Sequence, residues 1–238
     1  MSLPKISQPI FDFEIPSSGK KVNFRPFLVK EEKILFTAQQ SKSRKEIAKA
    51  IRQVINNCCV DDTFNVDEMS ISDAEYVFLQ LRGVSVNNII DFQLIDDEDE
   101  KPYKFQIDVS EVKIIKPKKK PVNDIKISEK VGIILEYPTF KIIENFQENI
   151  NNEYDLLIFY LKQCIKSIYD EEEVYDPKSY SEEEISDFIE GFSPKNFEKI
   201  KTFFDSAPKM EYIIKYKNSL GNEKKFVLST LEDFFTLL

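Results

Sequence analysis

The chain has 238 residues, enough for one large domain or two small ones, and its hydrophobic content of 42% excludes a disordered chain. Its 33 basic and 42 acidic side chains give a formal charge of -9, which disfavours nonspecific binding to nucleic acid or anionic membranes. Histidine is absent, which excludes catalytic triads that use imidazole, and the few glycines form no phosphate-binding loop pattern.

The cysteine content argues against disulfides and metal sites. The chain has Cys58, Cys59 and Cys164, fewer than the four Cys or His ligands of a structural zinc site. Cys58 and Cys59 are adjacent, so on a helix they point in different directions, and we expect Cys58 to be a core thiol. No secretory signal pattern opens the chain, and no apolar run approaches the roughly 20 residues of a membrane span. These features predict a protein of a reducing cytosol that carries no cofactor.

The N-terminal residues predict a β-hairpin. Ile10–Ile15 is an apolar run with Asp12 and Glu14 interposed, and Pro16–Gly19 then supplies turn residues, of which Gly19 can adopt a positive φ. Apolar positions resume at Val22, and we place Phe27 at the end of the same second strand. Pro26 lacks an N–H donor, so it is expected to end this strand or to mark it as an edge.

Three helices are predicted after the hairpin. Apolar residues recur at helical spacing over residues 29–40, which predicts the first helix. Ser43 and Glu46 have the spacing of a capping box and precede a second apolar stripe. Ser72 and Glu75 have the same spacing and predict the start of the third helix.

The middle of the chain is rich in predicted strands. Ile89–Ile95 and Tyr103–Val109 flank the acidic residues 96–102, which we interpret as a solvated hairpin loop. This acidic run lacks the glycine and the alternating ligands of an EF-hand, so a calcium site is disfavoured. The prolines of Lys116–Pro121 predict an extended connector, and Val131–Leu135 predicts a further strand.

Helices dominate the residues that follow. Apolar spacing predicts amphipathic helices over Phe140–Phe146 and Tyr154–Ile168, and the acidic residues Asp170–Asp176 are interpreted as a loop. Ser181–Glu184 has capping-box spacing and predicts a short helix. Pro194 suits the first turn of another helix.

The end of the chain predicts a second hairpin and completes the fold class. Residues 210–216 and 225–228 are the expected strands, and a capping pair at Thr230 starts a last short helix. Strands and helices come in runs, which indicates an α+β fold. It comprises an N-terminal β-hairpin followed by helices, a central antiparallel β region, a helical C-terminal part and a terminal β-hairpin with a short helix. We predict two domains, 1–120 and 121–238, of which the second is mostly helical.

Two surface segments each admit two interpretations. Lys116–Lys120 is a basic cluster in an acidic chain, and it is either a contact for DNA, RNA or an acidic partner, or a solvated linker. The linker is favoured, because no aromatic residue lies inside the cluster to stack on bases. The apolar tail at residues 231–238 either packs onto its own domain, which is the commoner outcome, or docks into another subunit.

Residues 16–35, PSSGKKVNFRPFLVKEEKIL, resemble the N-terminal signature of the T4-like bacteriophage baseplate hub family. In that family a hairpin with a Ser-Gly-Lys turn leads through an Arg-Pro-Phe-Leu element into a Lys-Glu-Glu-Lys helix. Looser similarity continues at Leu3-Pro4, Leu79–Arg82, Tyr137–Thr139 and Leu231–Phe235. Some relatives carry paired cysteines in the terminal hairpin that suggest a zinc knuckle. This chain has none there, so no metal is expected.

The resemblance implies a non-enzymatic role in building the central hub of a contractile tail's baseplate. The expected partners are other hub or tail proteins, met in the host cytoplasm during assembly, and neither nucleic acid nor a small-molecule substrate is expected. The chain is then either a subunit retained in the virion or a transient chaperone for hub or tape-measure proteins that is absent from the mature particle. A carboxylate-only hydrolase is a remote third hypothesis, because no acidic pair stands out by an apolar setting.

The candidate residues for partner binding come from the signature and from the tail: Arg25, Phe27, Lys30, Phe234 and Phe235. Arg25 follows a strand and lies between aromatic residues, where a guanidinium can bind carboxylates or carbonyls and stack on Phe. Lys30 begins a helix surface of alternating charge. The alternative for the signature is a fold-determining role as turn, strand end and helix start.

Overall fold

The computed structural model describes residues 4, 6–117, 121–145, 150 and 152–235. The helices are α1 (Val29–Ser41), α2 (Arg44–Cys58), α3 (Ile71–Ser85), α4 (Glu153–Cys164), α5 (Glu182–Glu190), α6 (Pro194–Asp205) and α7 (Leu231–Phe235). The strands are β1 (Phe11–Glu14), β2 (Lys21–Phe24), β3 (Ile89–Ile95), β4 (Pro102–Asp108), β5 (Lys113–Ile115), β6 (Asp124–Lys126), β7 (Gly132–Leu135), β8 (Ile165–Tyr169), β9 (Val174–Tyr175), β10 (Lys209–Lys217) and β11 (Glu223–Leu228). Helices and antiparallel sheets together confirm the predicted α+β class. None of the described helices combines the length and apolarity that a bilayer crossing needs.

The described residues form two compact units. The first contains the residues up to Ile115 together with those from Pro208 onward, and the second contains Lys116–Ala207. The terminal hairpin therefore belongs to the same unit as the N-terminal hairpin. The predicted division into domains 1–120 and 121–238 stays a prediction.

The N-terminal hairpin has the predicted form. Strands β1 and β2 pair antiparallel, with Phe11 opposite Phe24, and Gly19 in the turn has a φ of 69°. The placement of Phe27 in the second strand is wrong, because β2 ends at Phe24. The N–H of Arg25 instead donates to the Cys58 carbonyl at 2.9 Å, which directs the chain toward α1.

Side-chain caps start the second and third helices. The Ser43 hydroxyl accepts the Glu46 N–H at 3.3 Å at the start of α2, as its spacing predicts. At α3 the prediction is wrong by two residues, because Ser70 is the cap and its hydroxyl accepts the Asp73 N–H at 3.1 Å. Ser72 lies in the first turn, where its hydroxyl donates to the Pro208 carbonyl. The Ser72 hydroxyl, which the local sequence pattern predicts as the helix cap, is therefore bonded to a residue distant in sequence.

Two antiparallel sheets complete the first unit. Strands β3 and β4 form the predicted central hairpin, and a three-stranded sheet has the order β11-β10-β5. Aromatic rings join them, since Phe92 stacks on Phe226 with centroids 5.6 Å apart and Phe105 meets Tyr216 at 5.4 Å. The largest fully buried side chains of this unit are Phe24, Phe78, Phe234, Ile55, Leu79, Leu81 and Ile107.

The second unit contains a four-stranded antiparallel sheet of order β6-β7-β8-β9 with helices α4 to α6. Its core includes Ile133, Leu135, Leu161, Ile189 and Ile200. The prediction of one helix from Tyr154 to Ile168 is wrong beyond Cys164, where the chain changes from α4 to β8. Ile168 instead lies opposite Ile133 on β7, because a β-branched residue packs well on a pleated sheet.

Three predicted segments of this unit are a helix at residues 140–146, an acidic loop and the basic connector. Phe140–Asn145 forms a 3-10 helix, while Phe146 lies outside the described residues. The acidic loop after β8 is a tight turn in which Asp170 Oδ1 accepts the N–H groups of Glu172 and Glu173 at 2.8 Å. Residues 118–120 of the basic connector also lie outside the described residues, so the choice between contact and linker stays open.

Candidate partner-binding surfaces

Arg25 lies at the junction of β2, α1 and α2, and its side chain forms several hydrogen bonds there. Its guanidinium donates to both carboxylate oxygens of Glu31, at 2.9 and 3.3 Å. It also donates to the carbonyls of Pro26 at 2.9 Å and Asn57 at 2.7 Å. A planar fork of donors suits this arrangement, because one side chain then satisfies three chain segments.

Glu31 is the buried member of this pair. Its side chain is fully buried, and one carboxylate oxygen also accepts the Leu28 N–H at 2.9 Å. Burial by itself raises the pKa of the Glu31 carboxyl. The hydrogen bonds from Arg25 and Leu28 outweigh burial, so the pKa lies below its ordinary value. The pair therefore stabilises the start of α1, which is the fold-determining reading of the signature.

The neighbours of Arg25 in the signature are more accessible. Phe27 is half-buried, and its N–H donates to the Ser85 hydroxyl at 2.9 Å. Lys30 is exposed, with its ammonium 3.5 Å from a Glu31 oxygen. Of the candidate residues near the N-terminus, Lys30 and part of Phe27 thus face solvent, whereas Arg25 faces its own chain.

The C-terminal tail packs against the first unit. Phe234 is 1% exposed, Leu231 is 5% exposed, and α7 contacts α3. Asp233 Oδ2 accepts the N–H groups of Ser229 and Thr230 at 2.8 Å, which is the predicted cap at the start of α7. The side chain of Phe235 lies outside the described part of the chain. Partner binding by these two phenylalanines stays a prediction, and in this conformation Phe234 is a core residue.

The acidic loop between β3 and β4 meets the turn between β10 and β11. Asp96 is 1% exposed, and its Oδ2 accepts the Tyr216 hydroxyl at 2.5 Å. Its Oδ1 accepts the N–H groups of Glu98 and Asp99 at 2.9 and 3.1 Å. The Tyr216 hydrogen bond lowers the pKa of Asp96, and the same bond raises the pKa of Tyr216 to about 12. Asp96 is therefore a structural residue, and the interpretation of this loop as solvated is wrong at that position, whereas Asp97, Glu98 and Glu100 are exposed as predicted.

A second connection joins the same two loops, 120 residues apart in sequence. Asp99 Oδ2 accepts the Ser219 N–H at 3.0 Å, the Ser219 hydroxyl at 2.7 Å and the Tyr103 hydroxyl at 2.6 Å. Burial alone raises the pKa of Asp99, but these hydrogen bonds outweigh it and the pKa is lowered. The loops are thus joined by carboxylates that accept hydrogen bonds from both hairpins.

Replacing Asp96 by alanine is expected to loosen the terminal hairpin, because the Tyr216 hydroxyl loses its acceptor. The expected result is faster amide hydrogen exchange in β10 and β11 and a lower melting temperature. Asp97→Ala is the control, since that side chain is 88% exposed and its surface ion pair with Lys224 of β11 contributes little to stability. Equal exchange in the two variants would show that the Asp96 contact does not hold the hairpin.

A family model described as T4 bacteriophage base plate protein matches residues 8–236. The chain belongs to this family. It is a structural protein of a phage baseplate, and the predicted family resemblance is confirmed. No curated protein and no solved structure matches the chain significantly.

Helix α1 of this baseplate protein presents an exposed stripe to solvent, in which two apolar side chains flank a lysine. Val29 is 79% exposed and Phe36 is 62% exposed, and their separation of seven residues places them on one helix face. Lys33, one turn after Val29, is also exposed. Helix α1 packs on α2 through a different side, where Ala38 is buried. Two apolar side chains exposed on one helix face make this stripe a candidate contact surface.

Cys58 and Cys164 of the baseplate protein are buried thiols. Burial raises the pKa of Cys58 to about 11 and that of Cys164 to about 12, so both thiols stay protonated at neutral pH. Among the described residues, no group of three or more His, Cys, Asp or Glu side chains is placed to hold a metal ion.

Stability of the baseplate protein is expected to depend on the protonation of Glu75 on α3. Burial raises the pKa of Glu75 to about 7, and the negative charge of Asp233 adds to the effect, although the Leu231 N–H donates to Glu75 at 3.4 Å. The ordinary value is 4.5, so between pH 4.5 and about 7 the folded state binds more protons than the unfolded state. Stability contributed by the neutral carboxyl is therefore lost as pH rises through this window.

Urea unfolding across this pH window measures the effect. Glu75→Gln keeps a neutral side chain at every pH, so its free energy of unfolding should fall less with rising pH than that of the wild type. Parallel pH dependences for the two proteins would contradict the assignment.

Proposed function

We propose that this baseplate protein is a non-enzymatic subunit or assembly protein of the hub of a contractile tail, and that it acts by binding other hub or tail proteins. The observation that carries the proposal is the family match over residues 8–236. The use of its perturbed carboxylates supports the non-enzymatic part. Asp96, Asp99 and Glu75 all accept hydrogen bonds from side chains or backbone of their own unit, which is a structural role.

We place the hub contact on the exposed stripe of α1. Val29 and Phe36 offer apolar area there, and Lys30 and the accessible part of Phe27 lie at the start of the same helix. The ion pair of Arg25 with the buried Glu31 stabilises this helix start. The signature then has two tasks, because the buried pair positions the helix and the exposed residues meet the partner.

Proteomics of purified virions, combined with deletion of the gene, tests the proposal. A hub subunit is expected in the particle, and tails are expected to be missing when the gene is deleted. A chain that is required for tails but absent from particles is the transient chaperone of hub or tape-measure proteins. Normal tails after deletion would overturn both versions.

Substitutions in the stripe test the surface itself. The double variant Val29→Ser with Phe36→Ser should keep the wild-type melting temperature, because both side chains are exposed, but should fail to co-elute with hub proteins after co-expression. Val86→Ser is the matched control, since Val86 is 64% exposed and lies after α3. If the double variant co-eluted with hub proteins as the wild type does, α1 would not carry the hub contact.

A further inference from the structure

The outer face of the three-stranded sheet β11-β10-β5 is basic. Side chains alternate between the two faces of a strand, so the positions opposite the buried Met210 and Ile214 point away from the core. Across the paired strands these outward residues are Lys113 and Ile115 on β5, Lys209, Glu211, Ile213, Lys215 and Lys217 on β10, and Glu223, Lys225 and Val227 on β11. Lysines outnumber glutamates on this face of a chain whose formal charge is -9.

Two of these lysines are placed where they repel each other. Lys215 lies directly opposite Lys225 in the register of β10 and β11. Like charges at directly opposite positions destabilise a sheet. The neighbouring Lys224, on the inner face, instead forms ion pairs with Asp97 at 3.0 Å and Glu98 at 3.1 Å. Within the described part of the chain no such ion pair forms at Lys215 or Lys225, so an external anion would relieve their repulsion.

Apolar side chains lie next to the lysines on the same face. Ile213 is 38% exposed and lies opposite Val227, which is 39% exposed. Among the described strands β11 has one neighbour, β10, so its other edge pairs with no described strand. The face therefore offers positive charge, apolar area and a strand edge together.

We infer that this outer face binds an acidic, extended segment of another tail protein, with carboxylates at Lys215 and Lys225 and an apolar side chain over Ile213 and Val227. The inference rests on the proposed function, for which it names the partner chemistry. A protein segment fits better than single-stranded nucleic acid, because the Tyr216 ring belongs to the inner face and its hydroxyl binds Asp96, so it is not free to stack on bases.

Binding of a defined peptide tests the inference. The probe is a capped peptide in which Glu alternates with Val and Thr, and a peptide with Gln in place of Glu is its neutral match. The wild-type chain should bind the acidic peptide, more weakly as salt is raised, and should bind the neutral peptide at least about tenfold more weakly. Lys215→Glu with Lys225→Glu should reduce the affinity for the acidic peptide by a similar factor.

Two variants keep the result interpretable. Lys215→Glu alone places opposite charges across from each other, so its melting temperature should not fall while its affinity does. Lys104→Glu with Lys195→Glu changes the net charge as much as the double variant does, at exposed lysines outside this face, and should bind like the wild type. If that control lost as much affinity for the acidic peptide, net charge alone would explain the effect, and the inference would be overturned.

Other results of the binding and assembly experiments would also overturn the inference. No binding of the acidic peptide, or tighter binding of duplex DNA than of the peptide, would overturn the inference. Self-association of the wild type that Lys215→Glu with Lys225→Glu abolishes would make a second copy the occupant and would also overturn it. If virions assembled normally with this double variant, the outer face would have no role in assembly. If tails formed normally without the gene, the proposed hub function itself would be wrong.

Discussion

Arg25→Ala is expected to destabilise the first unit by about 3 to 5 kcal/mol, because it leaves the fully buried carboxylate of Glu31 without its partner. The carbonyls of Pro26 and Asn57 lose a donor in the same substitution. Chemical denaturation of the purified chain measures the change in the free energy of unfolding. Because the pKa of Glu31 is lowered, the contribution of the pair is present at neutral pH and is lost as pH falls through the folded-state pKa.

Two further substitutions define the cause. Arg25→Lys keeps the charge but cannot reproduce the planar fork, so an intermediate loss is expected. Lys21→Ala removes an exposed ion pair with Asp12, in which the side chains are 67% and 54% exposed, and should cost less than about 1 kcal/mol. If Arg25→Ala lowered the free energy of unfolding no more than Lys21→Ala does, the buried pair would not be stabilising the start of α1.

Phe234→Ala is expected to cost about 3 to 5 kcal/mol, because an aromatic side chain that is 1% exposed leaves a cavity when it is truncated. The loss should appear in the isolated chain, without any partner, as a lower denaturation midpoint. This result would assign the tail to its own unit, which is one of the two interpretations that the sequence leaves open.

Phe36→Ala is the matched control for the tail, since the Phe36 ring is 62% exposed and its truncation should change stability by less than about 0.5 kcal/mol. An unchanged stability of Phe234→Ala, together with weaker binding to a tail protein, would instead show that α7 leaves its unit and docks onto a partner. The two readouts therefore separate the interpretations directly.

Features that depend on neighbouring residues were predictable. The Ser43 cap, the Ser181 capping box with Glu184, the Gly19 turn and the terminal hairpin all follow from spacings of a few residues. Each element needs its own side chains and little else, because capping and turn formation satisfy backbone groups locally. The family signature is of the same kind, since its turn, strand end and helix start are contiguous.

Features that depend on distant residues were mispredicted or missed. Ser72 has the spacing of a cap, but the Pro208 carbonyl takes its hydroxyl and Ser70 takes the cap. The apolar stripe after Tyr154 continues at helical spacing to Ile168, but the neighbouring β7 draws the last residues into a sheet. Arg25 could be singled out by residue type, whereas its bidentate partner Glu31 had no distinguishing signal among neighbouring charges.

Composition alone already restricts the chemistry of this chain, because no fold can create imidazole or a glycine-rich phosphate loop that the chain lacks. Local spacing adds the caps, the turns and the hairpins. Only the three-dimensional arrangement decides that the carboxylates of Asp96 and Asp99 meet the terminal hairpin, and that Lys215 faces Lys225 beside Ile213 and Val227. The physical reason is that strand register and side-chain pairing between distant segments depend on the packing of the whole unit, which no short stretch of residues contains.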